Sequence, residues 1–361
     1  MKKLGFHFDL GILIKITINL LKRLSKNATR EISSGRKRSV LYGNPNMAIY
    51  LLLFLIFTLI IIKSPAFAEP GQLIRFIARV SPLAIAALGQ YFVILSGELD
   101  LSIGAIVTSQ VVIAGTLIGG NEARVMPVLV FMFIFGGLVG LFNGIIVAYF
   151  RVPSLIVTLG TMLVLTGSVY AWTGGSVGDN PVDSFRQIGR EGLKNIPIVG
   201  ILPYSVIIFL LLTSIAVIAV RRPFGKAVLS VGGNRLAANS SGIQVSFVKI
   251  KVFVISSLCA TITGILVVGY AGVGQSVGAG YEFATVTAVL LGGVALSGGR
   301  GWLLSAIAGA FTLEALFVLL NFYSVPSTYR DSVQGAIILI AVALTAREKS
   351  ALRIFKLRSK N

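Results

Sequence analysis

Hydrophobic positions along this chain fall into long blocks rather than into an alternating or one-sided pattern. Blocks at 47–62, 77–95, 101–120, 126–149, 154–172, 203–220, 252–272, 283–296, 302–322 and 333–346 hold no more than one charged side chain each. A bilayer core of about 30 Å is crossed by roughly 20 residues of helix, and a helix that is apolar all round must be covered by lipid or by other helices. The pattern therefore predicts an all-α, polytopic transmembrane helical bundle with about ten spans. The blocks 283–296 and 333–346 are short, so tilting, extension or re-entry would leave eight or nine true crossings.

Composition strengthens this reading, since 55% of the residues are hydrophobic, only 12% are charged and the mean hydropathy is +0.89. Soluble domains carry about 25% charged residues. A net charge of +19 would suggest nucleic acid in a soluble protein, but here the basic residues flank apolar blocks instead of sharing one face. Nucleic-acid binding is excluded on that distribution. With the N-terminus in the cytoplasm and the sides alternating, the arm, Arg151, the 221–251 segment, Arg300 and the tail place 24 of 32 basic residues inside. Glu69, Glu122, Asp179, Asp183, Glu191, Glu282 and Asp331 fall outside. Both termini are thus expected to be cytoplasmic, with 173–202 as the longest external loop.

Three regions follow: a basic cytoplasmic arm at 1–46, a transmembrane domain at 47–346 with a cytoplasmic segment at 221–251, and a basic cytoplasmic tail at 347–361. Lys15, Lys22 and Arg23 interrupt the apolar positions of the arm, so it does not read as a secretory signal. It suits either an interfacial helix on anionic lipid or a solvated tail. The single cysteine, Cys259, and the single histidine, His7, leave no intramolecular disulfide and no Cys/His metal cluster to build. No metal site is expected.

Two glycine motifs mislead. Leu296-Ser297-Gly298-Gly299-Arg300 looks like the signature of an ATPase, yet the chain contains no G-x-x-x-x-G-K-[ST] loop to cradle phosphates. Gly272 to Gly278 looks like a dinucleotide loop, but its third glycine is one place late and no βαβ unit surrounds it. Both read as turns between spans.

The segment after the sixth block is more informative. From Arg221 to Ile243 it contains no acid, Asn234 is placed to cap a short helix, and Gly242 is placed to stop it. Ala237, Ala238 and Ser241 are small enough to admit a close partner, and Gly225 and Gly233 punctuate the approach. An ordinary basic loop accounts for the same residues.

Four runs together resemble the permeases of ribose-type simple-sugar ABC importers. They are Gly97-Glu98-Leu99-Asp100-Leu101-Ser102-Ile103-Gly104; Asn143-Gly144 followed by Arg151 to Thr161; Gly232-Gly233-Asn234 to Ser241-Gly242-Ile243; and Leu291-Gly292-Gly293 to Leu296-Ser297-Gly298-Gly299-Arg300-Gly301. They occur in family order over roughly 80–346. The wider family includes permeases for nucleosides, a signalling furanosyl compound and branched-chain amino acids. The resemblance implies a non-catalytic subunit of a bacterial inner membrane that pairs with itself or a relative. It further implies a periplasmic or lipid-anchored solute-binding protein, and two ABC ATPase subunits docked on the cytoplasmic side. ATP and Mg would belong to those ATPases, with no cofactor on this chain. Asn234 to Gly242 would be the coupling element. The family commonly has a hydrophobic residue beside the aspartate of the first run, and here Glu98 and Asp100 both occur.

Gly97 and Gly104 weaken helix on either side of Asp100, whose carboxylate, beside Ser102, can accept from the backbone N–H groups of the following helix. Asp100 is expected to cap that break. Glu314 lies inside an apolar block and Asn321 is seven residues on, so an inward polar stripe is expected. Gln90, Asn143, Thr158, Thr161 and Trp172 are candidates for the solute pathway, because sugars favour amide and hydroxyl contacts over an aromatic ring. Helix packing explains them equally. An ion-coupled secondary transporter is the main rival and would need more intramembrane charge than Glu314. A membrane enzyme would need paired carboxylates or an activated nucleophile, and the sequence shows neither at helical spacing.

Overall fold

The computed structural model describes residues 45–176, 178–197 and 200–340, and the parts of the arm and tail before and after them lie outside the described residues. All that follows belongs to the unit running from Asn46 onward. Its helices, in chain order, are α1 (Pro45–Lys63), α2 (Pro70–Leu95), α3 (Ile103–Ile113), α4 (Val125–Tyr149), α5 (Ser154–Thr173), α6 (Asp183–Arg190), α7 (Tyr204–Arg221), α8 (Pro223–Gly233), α9 (Arg235–Ser240), α10 (Val245–Ala271), α11 (Tyr281–Leu291) and α12 (Leu303–Phe322). A further helical stretch covers 330–340, so the last apolar block is helical as far as it is described. The chain is a polytopic helical membrane protein.

Six of these helices are long and apolar enough to cross a membrane, and the apolar stretches Met47–Lys63 of α1, 103–118 and α11 are shorter. Against the ten expected blocks, six long helices stand among the described residues, with shorter ones between them. The reason is visible at α3 and α11, of 11 residues each. Eleven residues rise only about 16 Å, half of a bilayer core. The block at 101–120, expected to be one span, starts late at Ile103 and ends in a π-helical turn at Ala114–Ile118.

The long helices sort into an inner and an outer set. The apolar windows of α2 and α10 are 83% and 78% buried, whereas those of α4, α5 and α7 are 22% buried. Large apolar side chains on the outer set, such as Leu138, Leu163 and Leu211, are left exposed. In a soluble protein that surface would aggregate; here it is the lipid-facing wall. α10 packs against α2, α3, α4 and α6 and is the hub of the bundle.

Small residues make the α4–α10 seam. Gly136, Gly140 and Gly144 recur every fourth residue, and a Cβ on Gly140 or Gly144 would come within 2.8 Å of the α10 backbone. Lipid tails are as apolar as leucine, so helices gain from close van der Waals approach rather than from burial alone, and glycine permits it. At the opposite end of the inner set, Phe57, Phe67, Phe76, Phe209 and Phe311 interlock α1, α2, α7 and α12, with ring centroids 5.3–6.1 Å apart.

The expected external loop at 173–202 is partly structured. It holds α6, which packs on α10, and an antiparallel hairpin of β1 (Gly192–Ile196) and β2 (Gly200–Pro203), with Gly192 opposite Pro203 and Lys194 opposite Ile201.

Candidate functional site

Between α2 and α3 the chain leaves helical geometry at Gly97, with φ +86°, and runs irregularly through residues 98–102. Irregular backbone at membrane depth survives only where protein supplies its hydrogen bonds. Four of these five residues are tied through polar groups to a different neighbour. The Glu98 carboxylate forms an ion pair with Lys249 of α10, whose side chain is 5% exposed. The Leu99 N–H donates to Ser154 Oγ of α5 at 3.1 Å, and Thr158 Oγ1 reaches the Leu99 carbonyl at 3.5 Å.

Asp100 is fully buried. Its Oδ1 accepts from the Ser102 N–H at 2.9 Å and from Ser102 Oγ at 2.5 Å, and its Oδ2 accepts from Ser256 Oγ of α10 at 2.7 Å. Ser102 Oγ in turn accepts from Asn143 Nδ2 of α4 at 3.1 Å, and Asn143 Oδ1 accepts from Thr161 Oγ1 of α5 at 2.6 Å. The donors thus run from Thr161 through Asn143 and Ser102 to one carboxylate. Ser256 sits eleven residues into α10, about 16 Å from its start, so the break that Asp100 closes is buried inside the bundle. The start of α3 also meets the turn before α11: the Gly278 N–H donates to Thr108 Oγ1 at 3.0 Å, and a Cβ on Gly104 would be 2.7 Å from the Gly278 carbonyl.

The second feature is a glycine junction. The Gly299 N–H donates to the Leu95 carbonyl at 2.9 Å, capping the last turn of α2 from the 292–301 loop. A Cβ on Gly298 would be 2.7 Å from Gly97 Cα, one on Gly232 would be 2.6 Å from Gly299 N, and one on Gly299 would strike the Gly233 backbone. Three segments far apart in sequence therefore touch backbone to backbone where any side chain would separate them. The bridge then links this point to Asn143, Ser154, Thr158 and Thr161. All four sequence motifs converge on one region of the bundle.

From the junction projects a basic hairpin of helices. Pro223 opens α8, and α8 and α9 meet at Asn234, which has extended backbone and whose Oδ1 accepts from the Ala237 N–H at 3.0 Å. Gly242, with φ +81°, ends α9. Ala237, Ser241 and Gly233 are exposed, and Ser241 Oγ donates to the Ala237 carbonyl. Leu236 is 81% exposed at the tip, an apolar side chain among small and basic neighbours.

Several expectations are corrected. Ala238 is 4% exposed and belongs to the core, because α9 must bury one side against the bundle, so it offers no surface to a partner. Gly225 is likewise buried, pressed against Val220 at the turn from α7. The 221–251 segment is not a loop to its end: α10 begins at Val245, and Lys249 is a buried ion-pair partner rather than a solvated cation. Glu314 and Asn321 do share a face of α12, but Glu314 is only partly buried and Asn321 is exposed, with Oδ1 3.5 Å from Arg330 Nη2. The face of α12 that packs inward carries Ala306, Ala310, Leu313 and Phe317 instead.

The five pathway candidates have different surroundings. Asn143 and Thr161 spend their polar atoms on each other and on the bridge, and the Thr158 hydroxyl donates to the Ser154 carbonyl of its own helix and reaches the Leu99 carbonyl of the bridge. Gln90 is fully buried in α2, and neither of its amide atoms has a hydrogen-bond partner among the described residues. Trp172 is 49% exposed near the end of α5, eleven residues from Thr161, where an indole suits the lipid–water boundary. Lys249 was hidden by its place among loop-like cations, although Lys249, Ser256 and Thr263 recur every seven residues, the spacing of a single helix face.

This assembly of lipid-facing spans, a buried break and a projecting basic hairpin is that of a transport permease. The family described as the branched-chain amino acid transport system permease component matches residues 72–342, and the chain belongs to it. It is similar to the ribose import permease protein RbsC of Bacillus subtilis, at 33% identity over 84% of this chain and 92% of the relative. It is also similar to the L-arabinose ABC transporter permease protein AraH of Azospirillum brasilense, at 29% identity over 93% and 98%. A third relative is the galactose/methyl galactoside import permease protein MglC of Escherichia coli, at 30% identity over 87% and 97%. No solved structure matches. The chain is a multi-pass permease subunit of the bacterial inner membrane.

Proposed function

We propose that this permease imports a sugar-like solute, received from an extracytoplasmic binding protein, and is driven by separate ATPase subunits that grip the α8–α9 hairpin. The observation that carries the reading is the convergence of four separated motifs on one region, three of them at the glycine junction from which that hairpin projects. Ribose, arabinose and galactose in the names of the relatives support a sugar. The exposed, acid-free hairpin supports docking of a partner on the basic side, with Leu236 as the apolar knob and Asn234 holding the helix that presents it.

In the same reading both termini are cytoplasmic, the ten apolar segments all contribute to the membrane domain, and a second permease subunit, identical or related, completes the passage. Glu314 then faces that partner or the passage, since an isolated carboxylate costs at least about 2.5 kcal/mol in lipid. Asn143, Thr158 and Thr161 hold helices together rather than touch solute, and Asp100 closes the break between α2 and α3. Deleting Asn234 to Gly242 and measuring co-purification with the ATPase tests the coupling role. Loss of ATPase with an intact, folded permease is expected; retained docking and uptake would defeat it.

A further inference from the structure

A groove of about 470 Å³ opens beside the glycine junction, between the last turns of α7, the start of α8 and the first turn of α12. Its walls are aliphatic, with Val217, Leu229 and Leu303 among them, and Tyr91 at its base donates to the Gly301 carbonyl at 3.3 Å. Arg221, Lys226 and Arg300 line it, and no acidic side chain does. Trp302 is 65% exposed beside them and Leu304 is 48% exposed.

We propose that this groove binds an anionic phospholipid of the inner leaflet, with the phosphate between Arg221 and Lys226 and the acyl chain along the aliphatic walls. A free anion would have no use for the walls. A protein partner would find its apolar contact on the projecting hairpin instead. Only an amphiphile matches both halves, and the groove lies between the ends of two spans, where an indole marks the lipid–water boundary. Basic pockets between spans on the cytoplasmic side attract acidic headgroups. The assignment rests on the proposed orientation, which puts this end of the bundle at the inner leaflet.

One wall belongs to α8, which leads into the hairpin, and another to the loop that caps α2. A bound lipid therefore braces the two segments that meet at the junction.

The test uses the full chain carrying Trp172→Phe, which leaves Trp302 as the only indole of the two in the sequence. It is reconstituted in phosphatidylcholine vesicles with increasing brominated phosphatidylglycerol, or with brominated phosphatidylcholine as control. Brominated phosphatidylglycerol is expected to quench Trp302 at a mole fraction several-fold lower than the control. Lys226→Gln and Arg221→Gln are each expected to reduce that preference by about fivefold, and Lys226→Arg to keep it. Equal quenching by the two lipids would overturn the proposal, as would a preference unchanged in the glutamine variants. Relief of quenching by inorganic phosphate would assign the site to a free anion and overturn it too. If the glutamine variants lose a co-purifying ATPase but keep the lipid preference, the groove is a protein-docking surface and the lipid assignment falls. The readout needs no ATPase, so it stands or falls separately from the import mechanism. Melting temperature in the same vesicles checks that each variant folds, and Lys226, exposed on α8, is the variant least coupled to folding.

Discussion

The bridge at 97–104 and the hairpin at 223–242 meet at the same glycines yet are held in opposite ways. Glu98, Leu99, Asp100 and Ser102 each spend their polar groups on α4, α5 or α10, so the bridge is pinned from several sides. The hairpin touches the bundle through Val228, Val231 and Ala238 and leaves Leu236, Ala237 and Ser241 in solvent. One region is pinned among the inner helices; the other presents exposed side chains at its tip. A coupling device needs both, because force on the lever does work only if the far end of the contact does not yield.

That contrast can be broken most severely at Asp100. Asp100→Ala removes the acceptor for three hydrogen bonds and leaves buried donors unpaired, so a loss of about 3 kcal/mol or more is expected, read as a large drop in melting temperature of the purified chain. An unchanged melting temperature would mean that the bridge is not a structural anchor.

Next in size is the Glu98–Lys249 pair. Removing either partner strands a buried charge, and Lys249→Met or Glu98→Leu alone should cost about 3 kcal/mol. The double substitution is expected to recover most of that loss in a thermodynamic cycle of melting or denaturant data. Additive losses would show that the two side chains act independently.

The junction comes third. Gly232→Val places a side chain against Gly299 and the Leu95 carbonyl, and overpacking of this kind costs about 1–3 kcal/mol. Because it parts the lever from the bridge, ATP-driven uptake should fall by a larger factor than stability explains.

The smallest stability effects are expected on the hairpin itself. Asn234→Ala loses an N-cap worth about 1 kcal/mol to α9, and Leu236→Ala is expected to leave melting unchanged. Both should lower ATPase co-purification, and Leu236→Ala without that effect would remove the knob from the account.

Much of the architecture was legible because it depends on local pattern. Each of the ten apolar blocks contains a helix where it is described, and Asn234 and Gly242 delimit α9 through cap chemistry that acts within a few residues. What could not be read depends on distant partners. Lys249 looked like a loop cation because its acid lies 151 residues away, and that misplaced the start of α10 by seven residues, from Val245 to Val252. The burial of Ala238 depends on which side of a six-residue helix meets the bundle, and composition carries no trace of it. The hairpin of β1 and β2 was missed inside a polar external segment, since a short pair of strands leaves little periodicity. Asn143 and Thr161 stand out in the sequence as candidates either for the solute pathway or for helix packing, and whether such groups face a passage or each other is decided only by packing.

The central claim is that energy enters through the α8–α9 hairpin from a separate ATPase. The direct measurement is solute uptake by proteoliposomes containing the purified permease, with and without its ATPase, binding protein and ATP, under an imposed ion gradient. Uptake is expected only when ATPase, binding protein and ATP are all present, and to be lost on deletion of Asn234 to Gly242. Concentrative uptake by the permease alone, driven by the ion gradient, would contradict the account.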